Sequence, residues 1–254
     1  MKSAAIVCAS LLCALPLAAQ TTPAPCPADA ATQCREIAQM QSQLDDWAQL
    51  SRYRDADEAL AAPASGENRV VFMGDSITDA WGHGADFFPG KPYINRGISG
   101  QTTPQMLVRF QQDVVHLKPS VVVILAGTND IAGNTGPSTP QMIEDNFVSM
   151  ADIAHQSGIK VVIASILPAA AYPWRPGVKP AAEIRELNTW LEAFCQRDGD
   201  VYLDYYSHLT DAEGGMAPGL SKDGVHPTPK GYAIMAPLAE KAIAEALAKE
   251  SRTN

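Results

Sequence analysis

Arg69-Val70-Val71-Phe72-Met73-Gly74-Asp75-Ser76-Ile77-Thr78 is the stretch whose reading decides the fold. An apolar, β-branched run ends abruptly in a glycine, an acid and a serine. That reads as a buried strand stopping in a turn, with the Ser76 hydroxyl at its C-terminal tip. Open α/β sheets place their chemistry at such tips. Taken alone, Gly-Asp-Ser is equally the composition of an ordinary turn. Four further segments decide between these readings, and the rest of the chain shows what frames them.

Downstream, apolar runs recur at residues 93–94, 121–126, 160–167 and 201–203. The longer ones lack polar alternation, as do strands covered on both faces of a parallel sheet. Helical patterns separate them. Met106, Leu107, Phe110, Val114 and Leu117 share one face of a helix entered by Thr103-Pro104 as cap and first-turn proline. The Thr-Pro start recurs at Thr139-Pro140 and Thr228-Pro229, and Gly158 stands where a left-handed residue ends a helix. Strand and helix in alternation predict a three-layer α/β/α sandwich with right-handed crossovers.

Upstream, Ile37, Met40, Leu44 and Trp47 recur at three- and four-residue steps. They predict a helix reaching roughly to Tyr53 that packs this stripe against the domain. Residues 61–68 read as a loop into the first strand. Residues 168–180, with Tyr172, Trp174 and four prolines, read as a stiff loop at a strand's C-terminal end, either a surface connection or the wall of a pocket.

The chain has 254 residues, 46% of them hydrophobic and 19% charged, which suits one domain with a proper core. A formal charge of −9 argues against a sequence-independent grip on nucleic acid or anionic lipid. Lys2 precedes an apolar run over residues 4–19 that ends in Ala18-Ala19 before Gln20. One positive charge, a short apolar core and a small-residue exit read as a cleaved secretory signal over residues 1–19, too short for a span of about 20 residues. A retained anchor is the competing reading. Residues 20–33, rich in Pro, Thr and Ala, read as a flexible leader, and residues 34–254 as the single domain with its extra N-terminal helix. Export leaves Cys26, Cys34 and Cys195 where disulfides are permitted. Cys195 reads as a buried apolar residue, and three cysteines do not settle whether Cys26 pairs with Cys34.

A serine needs a base to act as a nucleophile at neutral pH. Of five histidines, only His226 has a carboxylate at tight spacing in a turn, in Asp223-Gly224-Val225-His226-Pro227. Folded back, Asp223 accepts the Nδ1 proton of His226 and leaves Nε2 facing outward to receive a proton. Asp-x-x-His alone is equally a turn with a solvated histidine. Acyl transfer also needs donors for a tetrahedral oxyanion. The loop after the second strand, Asn95 to Thr102, offers the Gly100 backbone amide, and Gly127-Thr128-Asn129-Asp130 after the third offers the Asn129 side-chain amide. Turn chemistry explains each singly, but not their arrangement after successive strands. Asp75, Asp79, Asp130 and Asp204 stand near expected strand tips and either shape the site or, as the preferred reading, are solvated turn carboxylates, and Trp81 and Trp174 read as either packing or a subsite lining.

These segments together resemble the SGNH hydrolases, the GDSL esterase and lipase family. Gly74-Asp75-Ser76-Ile77 resembles its nucleophile block, with Ile77 in place of leucine. Gly97-Ile98-Ser99-Gly100 resembles the glycine block, Gly127 to Asp130 the asparagine block, and Asp223 to His226 the Asp-x-x-His block. The blocks follow the family's order across the whole expected domain. The resemblance implies a flavodoxin-like sheet of about five parallel strands. It also implies Ser76 as nucleophile, His226 as general base and Asp223 as its orienting partner. Ser76 N–H, Gly100 N–H and the Asn129 amide would form the oxyanion hole. No metal or organic cofactor is implied, and the sequence holds neither a His-Glu-x-x-His pattern nor a glycine-rich phosphate loop.

The expectation is a secreted or periplasmic serine esterase acting through an acyl-enzyme, its rate rising as the imidazole loses its proton. Export, acidity and the lack of an amphipathic membrane-binding stretch favour short acyl groups, acetyl above all, on a carbohydrate or other small alcohol. Lysophospholipase or thioesterase action is the runner-up. A non-catalytic carbohydrate-binding module on the same fold is the alternative from another class.

Overall fold

The computed structural model describes residues 29–83 and 87–249. The chain divides into two units, residues 1–42 and 43–254. In the first, the described part is most of helix α1, Ala30–Asp45. This helix begins ahead of residue 34, inside the stretch read as leader. It also stops eight residues short of Tyr53. The cause is Asp46, whose carboxylate accepts the backbone N–H groups of Leu50 and Ser51 at 2.7 and 2.9 Å and captures the chain in a turn. Ile37, Met40, Leu44 and Trp47 are exposed. Helical periodicity registers an apolar face without saying that anything covers it. The signal segment, residues 20–28 and Cys26 with its pairing lie outside the described residues.

In the second unit, α2 (Arg54–Glu58) precedes β1 (Val70–Gly74), α3 (Ser76–Asp79) and β2 (Tyr93–Gly97). Then come α4 (Thr103–Asp113), β3 (Val121–Leu125), α5 (Thr128–Ile131), α6 (Pro140–Gln156) and β4 (Lys160–Ala164). The chain closes with α7 (Ala181–Asp198), β5 (Val201–Leu203), α8 (Tyr206–Leu209) and α9 (Pro229–Ala248). All four strand pairings are parallel, in the order β2-β1-β3-β4-β5. That is the flavodoxin-like order, with its switch point beside β1. No described helix is long and apolar enough to cross a membrane.

β1 and β3 are buried along their whole length, and their side chains feed one core on each face of the sheet. On one face Val71, Met73, Val122 and Ile124 meet α4, α6 and α7 through Phe110, Phe147 and Leu191. On the other, Val70, Phe72, Val121 and Val123 meet Trp81 and α9 through Tyr232, Met235 and Ile243. Trp81 therefore belongs to the core, edge-on to Phe72 at 6.1 Å between ring centroids. Cys195 is buried too, and burial pushes its thiol up to about 12.

The Thr-Pro starts hold, with Thr139 and Thr228 capping α6 and α9. At α4 the cap is Thr102, one residue earlier than expected, because Gln105 reaches back to accept the Thr102 backbone N–H at 3.1 Å. Close approach is bought at Gly97, where a Cβ would stand 2.1 Å from the Asp79 backbone nitrogen. A side chain there would force β2 away from α3 and shift the tip of β1.

Candidate active site

The site lies at the C-terminal ends of β1, β2 and β3. Ser76 opens α3 directly after the Asp75 cap, whose Oδ1 accepts the Ile77 N–H at 2.9 Å. The serine is thereby fixed at a helix start, half-buried, with its hydroxyl toward His226. His226 Nε2 lies 2.9 Å from Ser76 Oγ, and His226 Nδ1 lies 2.6 Å from Asp223 Oδ2.

The acid and the imidazole come from one turn. Asp223 Oδ1 accepts the backbone N–H groups of Val225 and His226 at 2.9 and 2.8 Å, which folds the four residues back on themselves. Partial burial raises the Asp223 pKa. The hydrogen bonds from the His226 ring and from these two N–H groups outweigh that and hold it well below the usual carboxylate range. An anionic acceptor on Nδ1 fixes that nitrogen as the N–H and leaves Nε2 as the acceptor for the serine proton. Tyr232 donates its hydroxyl to the Ile77 carbonyl at 2.7 Å and ties α9, which follows this turn, to the helix that carries Ser76.

The donor side is assembled from separate loops. Gly100 has φ +82°, open space around its α-carbon and an exposed backbone. Among the described residues, neither the Ser76 nor the Gly100 backbone N–H donates to a protein acceptor. Asn129 is buried in α5, its Nδ2 donating to the Gln101 carbonyl at 2.9 Å and lying 3.4 Å from Asp75 Oδ2. The structure thus brings Ser76, His226, Asp223, Gly100 and Asn129 into one constellation. An attacking hydroxyl, a proton acceptor and donors for a developing oxyanion are what acyl transfer needs.

Two of the carboxylates read as solvated are buried instead. Asp75 is 1% exposed, and burial, with Asp130 adding to it, pushes its pKa up to about 7 against the Ile77 N–H and His226, which pull down. Asp130 is also 1% exposed and accepts both the N–H and the hydroxyl of Thr103, the first residue of α4. Its burial raises its pKa as well. Turn composition misled because these acids serve backbone donors inside the fold. Asp79 accepts from Ser99 and Asp204 from Ser207 nearer the surface.

Sequence reasoning also missed a buried guanidinium. Arg109 is fully buried, donating to the Gly74 carbonyl at 3.1 Å, to Gln101 Oε1 and to Asp113 at 2.9 Å. It braces the residue before Asp75 and the residue whose carbonyl holds Asn129. An Arg at helical spacing from an Asp carries no mark that distinguishes burial from a surface pair. Asn134 was missed too, and Trp174 proves to stand 6.3 Å from the His226 ring. Among the described residues no cluster of His, Cys, Asp or Glu would hold a metal ion.

Fold and site together define a serine hydrolase of the open α/β type. The chain belongs to the GDSL-like Lipase/Acylhydrolase family, whose model matches residues 72–234, and so it is a carboxylic-ester hydrolase of the SGNH group. A GDSL-like lipase of Bacteroides thetaiotaomicron has a solved structure that superposes with a TM-score of 0.76. It is 44% identical, over 78% of this chain and 98% of that one. Esterase TesA of Pseudomonas aeruginosa is 31% identical over 53% of this chain and 60% of its own length. An acetylxylan esterase of Geobacillus stearothermophilus is 33% identical over 26% of this chain and 41% of its own.

Proposed function

We propose that this protein is an exported serine esterase that removes short acyl groups, acetyl above all, from the hydroxyls of a carbohydrate or other small alcohol. The observation that carries the reading is the continuous contact from Asp223 through His226 to Ser76 Oγ, at 2.6 and 2.9 Å. Ser76 Oγ attacks the ester carbonyl while His226 Nε2 takes its proton. The carbonyl electron pair moves onto oxygen, where the N–H groups of Ser76 and Gly100 and the Asn129 amide receive the charge. Collapse expels the alcohol, which takes the proton from His226, and leaves Ser76 acylated. Water then repeats the sequence and releases the carboxylic acid.

Short acyl groups are favoured by the named acetylxylan esterase among the relatives. The formal charge of −9 agrees with a neutral, water-borne substrate. Export rests on the residue pattern of positions 1–19 alone.

The test is hydrolysis of p-nitrophenyl acetate, butyrate and decanoate by the protein and by Ser76→Ala purified identically. Acetate cleavage that vanishes in the variant is expected. Equal activity in both would remove Ser76 as nucleophile, and a preference for decanoate would replace the acetyl reading with lysophospholipase or thioesterase action. N-terminal sequencing of the exported protein should begin near Gln20, and an intact Met1 would overturn cleavage.

A further inference from the structure

An asparagine that must offer its N–H₂ to an oxyanion has a problem of orientation. Its amide oxygen and nitrogen are nearly the same size, so shape alone does not decide which end faces the substrate. Only the hydrogen bonds around it do. For Asn129 the Gln101 carbonyl, which only accepts, holds the nitrogen end at 2.9 Å, and the oxygen end is held by a residue not yet assigned a role.

Asn134 follows α5 in the turn that leaves the site, its backbone N–H donating to the Asn129 carbonyl at 3.0 Å. Its side-chain Nδ2 donates to Asn129 Oδ1 at 2.8 Å and to the Gly100 carbonyl at 3.2 Å. One amide group therefore touches both residues that supply oxyanion donors from outside the serine turn. Asn134 is itself an amide with the same ambiguity, and its Oδ1 accepts the Trp174 indole N–H at 3.1 Å. An indole nitrogen donates and never accepts. The ambiguity ends there.

The outer end is held in place. Trp174 stacks on buried Tyr172 with centroids 5.1 Å apart and planes at 25°. Arg175 donates to the Gly133 carbonyl at 2.6 Å, tying the same proline-rich loop to the residue before Asn134. At the inner end, Asn129 Nδ2 is left facing the Gln101 carbonyl and Asp75, beside Ser76.

The geometry points to Asn134 as a positioning residue that, anchored by the Trp174 indole N–H, holds the oxygen end of the Asn129 amide opposite the Gln101 carbonyl, so that the two together keep its N–H₂ toward the oxyanion, and holds the Gly100 loop beside it. The inference rests on the esterase reading for its kinetic consequence, and on the hydrogen-bond chain alone for its structural one. Trp174 also stands beside His226, with ring centroids 6.3 Å apart. Donors of this kind act in the transition state, so their misplacement lowers kcat and leaves KM largely alone.

The experiment compares kcat and KM for p-nitrophenyl acetate in the unaltered protein, Ser76→Ala, Asn134→Ala, Asn134→Asp and Trp174→Phe. Loss of one oxyanion donor costs about 100- to 1,000-fold, so loss of its alignment in Asn134→Ala should lower kcat about 10- to 100-fold, with KM within about twofold. Trp174→Phe keeps the ring and removes the N–H, and should lower kcat about three- to tenfold, with the pH of half-maximal rate unmoved. Asn134→Asp should be worse than Asn134→Ala. Its carboxylate accepts from both sides, and so rewards the reversed Asn129 amide. A merely structural role predicts the opposite order, since Asp is nearer to Asn in shape. Asn134→Ala with kcat within twofold of the unaltered protein, or Asn134→Asp more active than Asn134→Ala, would overturn the inference.

Failure of the esterase reading looks different, as no Ser76-dependent hydrolysis in the unaltered protein. The hydrogen-bond chain is then tested by the solvent exchange of the Trp174 indole N–H, assigned in NMR spectra by its loss in Trp174→Phe. Exchange should quicken severalfold in Asn134→Ala, and an unchanged rate would refute the chain directly.

Discussion

The two halves of the site are built in opposite ways. The half that moves protons, Asp223 and His226, comes from four consecutive residues in one turn, with side chains 41% and 35% exposed. The half that would hold the oxyanion draws on three segments after three strands, and its supports Asp75, Arg109, Asn129 and Asp130 are all buried. A local turn needs little from the fold except its position against Ser76. An assembled, buried set of donors is inseparable from the packing that places it, so one half should be separable from stability and the other should not.

The largest effect expected is that of His226→Ala. Removing the proton acceptor of a working triad costs on the order of 10⁴- to 10⁶-fold in kcat. Because the ring is half-exposed and, among the described residues, its hydrogen bonds run to its own turn and to Ser76, unfolding free energies from urea titrations should change by no more than about 1 kcal/mol. A large activity loss accompanied by an equally clear loss of stability would erase the contrast between the halves.

Arg109→Leu tests the other half from beneath. It leaves Asp113 buried without its cation and the Gly74 carbonyl and Gln101 without a shared donor. Breaking a buried pair from one side costs about 3–5 kcal/mol, and a urea titration reads it. A cost below about 1 kcal/mol would mean that the guanidinium does not brace the strand tip. Asn129→Ala should then do both things at once. It should lower kcat about 100- to 1,000-fold with KM nearly constant, and cost about 1–3 kcal/mol by leaving Asn134 and the Gln101 carbonyl without their partner. If stability were untouched, Asn129 would belong to the separable class with His226.

The same contrast explains what was legible in the residues. Runs such as Val121 to Leu125 announce a strand covered on both faces, and the strand–helix alternation leads to the five-stranded parallel sheet that is observed. The Asp223–His226 turn is readable because its chemistry is contiguous, and Gly100 and Asn129 because each follows a strand. Arg109, Gln101 and Asn134 were not legible. Their partners lie 35, 53 and 40 residues away at Gly74, Ala48 and Trp174, and nothing local in an Arg, a Gln or an Asn records such a pairing. Asp75 and Asp130 were misread for the same reason, since a turn acid and a buried acceptor of backbone N–H groups have identical sequence neighbourhoods.

The smallest effect, and the sharpest probe of the buried half, is the pH dependence that Asp75 gives to stability. In the folded chain its pKa is raised to about 7 by burial, against about 3.9 when unfolded. Between those values the folded protein retains a proton that the unfolded chain has released, so this group makes stability fall as pH rises from about 4 to about 7, by an amount on the order of a few kcal/mol at most. Above that window the loss is complete, and below it there is none. Asp75→Asn keeps an oxygen for the Ile77 N–H and has no proton to lose. Its second amide atom faces Asn129 Nδ2 as a donor, which adds a penalty that does not vary with pH. Asp130, whose pKa is also raised, titrates in both proteins and largely cancels in the comparison. The stability of Asp75→Asn relative to the unaltered protein should therefore improve steadily between pH 4.5 and pH 7 in urea titrations and level off beyond it. A difference that stays constant across that range would mean that Asp75 is as well solvated as its turn composition suggests, and that the nucleophile rests on a wetter, less rigid floor than the buried half of this site requires.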